Sequence, residues 1–438
     1  MNKPLLLIET PLTRSGYALR GYDLALSLIK SEKYEVIIFP TRWGSTPPLQ
    51  LDSENSDHEL IKSHIRQQIH QQPDIHLQVT IPSEFRPLGK KSFGITAGTE
   101  TTGCPPSWVE GCNRMDAVFF SAAHSVNVFK NVILEKRDQK TNQVVETIKV
   151  SKPLETLFEG VNLGIFNKET EGTGYPINKF INEIPEKFVF LCVGHWLQGH
   201  LGQDRKDIGG LIKTFYDVFK RKGSNNRPAL ILKSSGAGFS ITERDQIVDK
   251  IQQIQEMVRS SGFKGEFPSV HLLNGEMSDE EMNALYNHPK VKAMVSFHKG
   301  EGWGRPLLEF TTTGKPVIAS NWSGPVDFLN KDFAFLLPGQ LTKVDRSAAN
   351  EWIQGDDQWF SVNYQFAGQV LNDCYEHYDK YLEKSRKHAK FTRDNFSLEK
   401  LQERILELLD KYVNLQEPVI TTPNEPKRLQ LPKLKKLT

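Results

Sequence analysis

The sequence is poor in several features, and each absence is informative. It has no apolar run near the roughly 20 residues that cross a bilayer, so no membrane-spanning helix is expected. The apolar start at residues 5–8 is short and runs into Glu9, so it reads as a first strand and not as a signal peptide. Only 4 cysteines occur in 438 residues, and their spacing fits no zinc pattern. Scattered thiols in a chain of this size suit a reducing cytoplasm. Net charge is only +2, which gives the whole molecule no strong pull toward nucleic acid. No GxGxxG is present, and Gly236-Ala237-Gly238 lacks the third glycine, which weakens a dinucleotide-dehydrogenase reading.

What is present is a soluble composition, 38% hydrophobic and 25% charged, and a length that calls for two or three domains. One stretch, residues 298–328, organises the rest. An apolar strand over 293–297 leads to the loop Gly300-Glu301-Gly302-Trp303-Gly304. Arg305 and Pro306 open a short helix carrying Leu307, Leu308 and Glu309, and Gly314 ends it. Residues 317–319 form the next buried strand. Glycines admit close backbone approach, and unpaired amides at a helix start favour phosphate. Carboxylates instead accept hydrogen bonds from sugar hydroxyls. Glu301 and Glu309 in one loop-helix unit therefore suit a ligand with both phosphate and sugars.

Glu301 and Glu309, separated by seven residues within E-G-W-G-R-P-L-L-E and followed by G-K-P-V-I-A-S, resemble the EX7E motif of family 4 retaining glycosyltransferases of the GT-B fold. The resemblance implies two Rossmann-like α/β domains facing a cleft. It also implies transfer of a sugar from a nucleotide diphosphate sugar, UDP-sugar slightly favoured, with no other cofactor. No DxD-type metal motif is evident, in line with the metal-independent class. The resemblance puts Glu301 on the donor sugar, Glu309 on the ribose, and the backbone from Gly302 through Trp303, Gly304, Arg305 and Pro306 to Leu307 on the diphosphate and sugar.

Earlier in the chain, strand 5–8, Gly16 and a helix with Leu19, Leu24, Ala25, Leu28 and Ile29 at helical spacing form a βαβ opening with strand 35–39. Such loops line the cleft of open parallel sheets. The resemblance makes Gly16 a donor-side residue and carries over Arg14 and Tyr17 beside it. Residues 49–72 read as loop then helix, and 74–81 and 91–97 as strands. Where many members have a histidine, this chain offers Glu100, with His124 nearby. Asp204-Arg205-Lys206-Asp207 resembles the family's diphosphate-binding Arg-Lys pair. Positive charge there would offset the leaving group. Lys233 ends strand 228–233 near the cleft. Asn274 lies in the loop that packs on the base in the family, and residues 277–281 begin a capped helix.

The expected organisation is an N-terminal acceptor domain over 1–184 with a hairpin insertion at 132–150, and a donor domain over 185–395. A crossover helix at 396–415 and a basic Pro/Lys-rich tail at 416–438 follow. Residues 168–185 read as a polar linker and 359–379 as an amphipathic helix. The tail is a candidate for weak surface contact. Thr41-Arg42-Trp43-Gly44 and Gly194-His195-Trp196-Leu197-Gln198-Gly199 resemble glycosyltransferases carried by tailed phages. That leaves a surface glycan, a lipid-linked sugar or a hydroxymethylated DNA base as acceptor, in a bacterial or infected-host cytoplasm. Two other readings stay open: a sugar-nucleotide epimerase or hydrolase on the same fold, and a non-catalytic glycan-binding protein.

Overall fold

The computed structural model describes residues 3–44, 46–138, 140–168, 174–223, 226–235 and 240–413. Its frame is two six-stranded parallel sheets. The first contains β1 (Leu5–Pro11), β2 (Glu35–Thr41), β3 (Ile75–Val79), β4 (Lys91–Thr96), β5 (Ala117–Phe120) and β8 (Leu154–Thr156). An antiparallel hairpin, β6 (Leu134–Arg137) with β7 (Val144–Ile148), stands outside it where an insertion was expected. The second sheet contains β9 (Val189–Val193), β10 (Ala229–Lys233), β11 (Val270–Leu273), β12 (Val291–Ser296), β13 (Val317–Ser320) and β14 (Phe335–Leu337). A further hairpin, β15 (Gly339–Lys343) with β16 (Gln358–Val362), follows.

Strands such as β1 and β13 are buried along their whole length, as a parallel sheet covered by helices on both faces requires. The helices of the first half are α1 (Gly16–Lys30), α2 (Ser56–His64), α3 (Pro106–Arg114) and α4 (Ala123–Asn131). Those of the second are α5 (Pro176–Glu183), α6 (Ile208–Phe219), α7 (Ile241–Ser260), α8 (Asp279–Asn287), α9 (Arg305–Thr311), α10 (Tyr364–Glu376) and α11 (Tyr378–Asn395). Their starts are set locally. Ser15 Oγ accepts from the Ala18 amide at 3.2 Å to open α1, and Ser278 with Glu281 forms a full capping box on α8.

Strand order decides where a ligand can sit. The first sheet runs β2-β1-β3-β4-β5-β8 and the second β11-β10-β9-β12-β13-β14. The order reverses between β1 and β3 in one and between β9 and β12 in the other. Ligands of such sheets bind outside the carboxyl ends of the strands at that reversal. The segments leaving β1 and β4, which carry Gly16 and Glu100, meet those leaving β9 and β12, which carry Arg205, Lys206 and Glu301.

Two segments differ from the sequence expectation. The span 168–185 is not simply a linker. It contains α5, whose Ile177 and Ile181 enter the second core beside Ile184. The span 359–379 does not begin as helix: Trp359 lies in β16, and α10 starts after the Asn363 cap. The final helix, α12 (Leu398–Tyr412), packs Leu401, Ile405, Leu408 and Leu409 into the core of the first sheet. Gln402 Nε2 donates to the Ser27 carbonyl of α1 at 2.6 Å. The basic tail, the glycines 236 and 238, and residues 169–173 lie outside the described residues. Among the described residues no helix is long and apolar enough to cross a membrane.

Candidate functional site

The Gly loop leaves β12 through His298, which is fully buried between Ser296 Oγ (3.1 Å) and the Trp322 carbonyl (3.3 Å). Burial pushes its imidazole down to about 3, so it is a neutral wall of the loop. Glu301 is held by its own amide, which donates to Ser323 Oγ at 2.9 Å. Gly304 caps α9 at φ 97°, a left-handed value that suits glycine. The first helical residue is Arg305, with Pro306 second. Because α9 has only seven residues, its dipole is modest and side-chain cations have to supply most charge for an anion. A Cβ on Gly300 would sit 2.0 Å from the Glu100 carbonyl oxygen, so the missing side chain there admits the other half of the protein.

The cations come from the segment between β9 and α6. Arg205 Nη1 donates to Glu100 Oε1 at 2.7 Å and lies 3.4 Å from Glu301 Oε2, while Lys206 pairs with Glu301 Oε1. Burial, aided by the adjacent Arg205, pushes the Lys206 ammonium down to about 7. A buried clamp sets this segment. Asp207, at φ 49°, lies 3.4 Å from Lys299 Nζ and accepts from the Tyr364 hydroxyl at 2.6 Å. Lys299 Nζ also donates to Ser361 Oγ at 2.9 Å, and its amide donates to the Arg205 carbonyl at 2.8 Å. The cation segment and the Gly loop are therefore fastened to each other. Sequence reasoning missed this clamp, although Asp207 adjoins the Arg-Lys pair and Lys299 adjoins the Gly loop.

Glu309 is buried on α9. It accepts from the Tyr286 hydroxyl at 3.3 Å and lies 3.5 Å from Arg305 Nε. Burial raises its carboxyl to about 7. Arg305 Nη1 also donates to Asp23 Oδ2 of α1 at 2.6 Å, a second ion pair between the halves. Burial raises Asp23 to about 6, with Arg305 opposing the shift. Asp23 was not singled out from the sequence, since nothing local distinguishes it from a solvated helix residue.

The remaining candidates divide. Lys233 Nζ donates to the Gly275 carbonyl at 2.6 Å and Asn274 Nδ2 to the Ser234 carbonyl at 3.3 Å, so the two lock the ends of β10 and β11 together. Gly16 opens α1 with free space beside it. Arg14 pairs with Glu276 across the cleft. The Trp303 ring is buried with Phe328 (5.0 Å) and Phe396 (5.9 Å), which makes its side chain a packing group, and Leu307 is buried in the same core. His124 Nε2 lies 3.1 Å from the Thr101 carbonyl, beside the Glu100 loop. A groove of about 1790 Å³ lies elsewhere, between α6, α10 and α11, and includes none of Glu100, Arg205, Lys206, Glu301 and Glu309. Glu100, Arg205, Lys206 and Glu301 satisfy one another's charges, while Glu309 is paired with Arg305.

Known structures share this architecture. A glycosyltransferase from Rickettsia africae is 15% identical over 95% of this chain and 100% of its own, with a TM-score of 0.59. HepE from Anabaena, solved with UDP, is 13% identical over 94% and 100%, also at 0.59. Sucrose-phosphate synthase from Thermosynechococcus elongatus is 11% identical over 93% and 99%, at 0.59. No family model and no curated protein sequence matches the chain. The fold is GT-B: α/β, two Rossmann-like parallel sheets facing a cleft.

Proposed function

We propose that this chain is a retaining glycosyltransferase of the family 4 type, moving a sugar from a nucleotide diphosphate sugar to a hydroxyl acceptor. One observation carries the reading. Two carboxylates spaced as in EX7E, Glu301 and Glu309, share the mouth of the second sheet with the paired cations Arg205 and Lys206. Carboxylates suit sugar and ribose hydroxyls, and cations suit a diphosphate. The domain division is taken near residue 184, with the donor on the second half. HepE has also been solved with UDP-glucose, which supports a UDP-sugar donor. The four buried free cysteines suit a cytoplasmic enzyme.

In the proposed reaction the bond between the anomeric carbon and the phosphate oxygen breaks. The acceptor oxygen bonds to that carbon on the same face, and its proton passes to the departing phosphate. Negative charge grows on the diphosphate as the bond breaks. Arg205 and Lys206 lie where they can stabilise it, and groups that act only as charge develops lower the barrier. Glu301 and Glu100 orient the donor sugar, and Glu309 holds the ribose. Gly16 and the backbone at 302–307 border the diphosphate. No protein base is required.

The test is incubation with UDP-sugars and a set of acceptors, following UDP release and the anomeric configuration of the product by NMR. A new glycosidic bond with the donor's configuration is expected. An inverted bond would reject retention. Free sugar alone, or an isomerised donor, would reassign the chain to hydrolysis or epimerisation. Absence of UDP binding would reject a UDP-sugar donor, and absence of binding of UDP, ADP and GDP alike would reject the reading as a whole.

A further inference from the structure

A row of three aromatic rings leads away from the Gly loop, and two of them, Trp43 and Trp352, have no role assigned above. It starts at Tyr17, whose hydroxyl lies 2.9 Å from Thr96 Oγ1 and accepts from the Ala97 amide at 3.3 Å. Ala97 is the residue against which Gly302 packs, so Tyr17 adjoins the place proposed for the donor sugar. The Tyr17 ring stacks on Trp43 with centroids 4.3 Å apart, and Trp352 continues the row 6.1 Å beyond Trp43. Tyr17 and Trp43 come from the first half of the protein and Trp352 from the second.

Trp352 is placed deliberately. It sits on the excursion between β15 and β16, residues 344–357, whose Val344 and Ala348 form a small core with Trp359 of β16. Trp352 is not part of that core and remains 41% exposed. Asn350 Oδ1 accepts from the Trp352 and Ile353 amides at 2.8 and 2.9 Å, fixing the turn that presents the indole. The excursion also holds both loops of the candidate site. Thr101 Oγ1 donates to Asp357 Oδ2 at 2.7 Å, beside Glu100. Gln198 Nε2 donates to the Ala348 carbonyl at 3.0 Å on the strand of chain that leads to Arg205.

Tyr17 and Trp43 cover each other's faces and pack on the core of the first half, so they back the exposed indole of Trp352, which offers a flat apolar face to the C–H face of a pyranose ring. It could equally stack a nucleobase, and charge separates the two. The excursion carries Asp345, Glu351, Asp356 and Asp357 against Arg346 and the flanking Lys343, which pairs with Asp356 at 3.2 Å, and the exposed cation beside Trp43 is Arg42, so acids outnumber bases. A nucleic-acid strand needs cations along its phosphates, and this wall repels them. We infer that Trp352, backed by the Trp43–Tyr17 stack that leads to the Gly loop, is the stacking platform for a neutral oligosaccharide acceptor. This names the acceptor class of the proposed transferase and rests on that reading.

The test is calorimetric titration of the full chain with UDP, ADP and GDP, with neutral malto-, cello-, laminari- and chito-oligosaccharides, and with an oligothymidylate. At least one oligosaccharide series should bind, more tightly with chain length. Trp352→Ala should weaken that binding at least about fivefold, and Trp352→Phe should keep it within about twofold, as stacking requires. Both variants alter an exposed side chain, and a thermal melt verifies folding. UDP binding without binding of any oligosaccharide overturns this inference alone, whereas failure of the oligosaccharides and of UDP, ADP and GDP alike removes the transferase reading with it. Oligothymidylate binding that depends on Trp352, or oligosaccharide binding indifferent to Trp352→Ala, also overturns it.

Discussion

Arg205 of the second half donates to Glu100 of the first at 2.7 Å, so a carboxylate of the protein occupies the cation that a diphosphate would claim. Ligand and Glu100 then compete for one guanidinium. Glu100→Gln removes the competing charge and should tighten UDP binding by about 0.5–1 kcal/mol, the scale of a partly exposed ion pair. The same change should lower the rate of transfer, since Glu100 is proposed to orient the donor sugar. Calorimetry with UDP and steady-state kinetics read the two effects separately. Weaker UDP binding would mean that Glu100 supports the nucleotide site.

Arg205→Ala is expected to lower kcat more than it raises KM. The charge on the leaving diphosphate is greatest in the transition state, so ground-state binding uses only part of the contact. A rise in KM at constant kcat would make Arg205 a binding residue only.

At pH 8, above the Glu309 value of about 7, Glu309→Gln should weaken UDP binding by about 1–3 kcal/mol, through loss of a charged acceptor for the ribose hydroxyls. It should also alter the pH dependence of stability. Burial raises Glu309 from 4.5 to about 7, so between those values the folded protein holds a proton that the unfolded chain has released. The stability linked to this group is complete below about pH 4.5 and is lost as pH rises through about 7. Melting temperatures of the wild type relative to Glu309→Gln should therefore fall from pH 5 to pH 8. A constant difference would show that Glu309 titrates alike in both states.

Asp207→Asn should destabilise the protein by about 3 kcal/mol, because Lys299 would then be buried without its counter-charge. Lys299→Met with Asp207→Leu should cost less than the two single changes together. Denaturant melts of Lys299→Met, Asp207→Leu and their double variant decide the coupling, and a melt of Asp207→Asn reads the first cost. Equal, additive costs would show that the two side chains do not act as a pair.

Much of the frame was legible because it depends on local pattern. The apolar runs of β1 and β9, the Ser278 capping box and the string around Glu301 each carry their meaning within a few residues. Trp359 was misplaced because a short aromatic run followed by an amphipathic helix has no clear boundary until Asn363 caps the helix. Helix α5 was hidden because Pro176 and the polar residues around it suggest a linker, while its Ile177 and Ile181 find partners only in the folded core. The ion pairs were invisible for a different reason. Glu100 and Arg205 are 105 positions apart and Asp23 and Arg305 282 apart, and no periodicity links such residues.

The Asp23–Arg305 pair also bears on motion. It joins α1 of the first half to α9 of the second, next to Glu309. Two other ion pairs across the cleft, Arg14 to Glu276 and Glu100 to Arg205, are more exposed and contribute less, and hydrogen bonds such as Thr101 to Asp357 add to them. Few covalent crossings join the halves, so hinge residues can absorb an opening rotation once these ties break. Closure would exclude the water that could otherwise hydrolyse the donor. Removing Asp23 leaves Arg305 half-buried without its first-half partner, and exposure of both faces relieves that cost. Asp23→Ala should therefore shift the ligand-free protein toward an open form, seen in small-angle scattering as a larger radius of gyration. An unreactive UDP-sugar analogue, bridging Glu301 and Glu100, should restore the wild-type value. Identical scattering of variant and wild type, with and without the analogue, would show that closure does not depend on this pair.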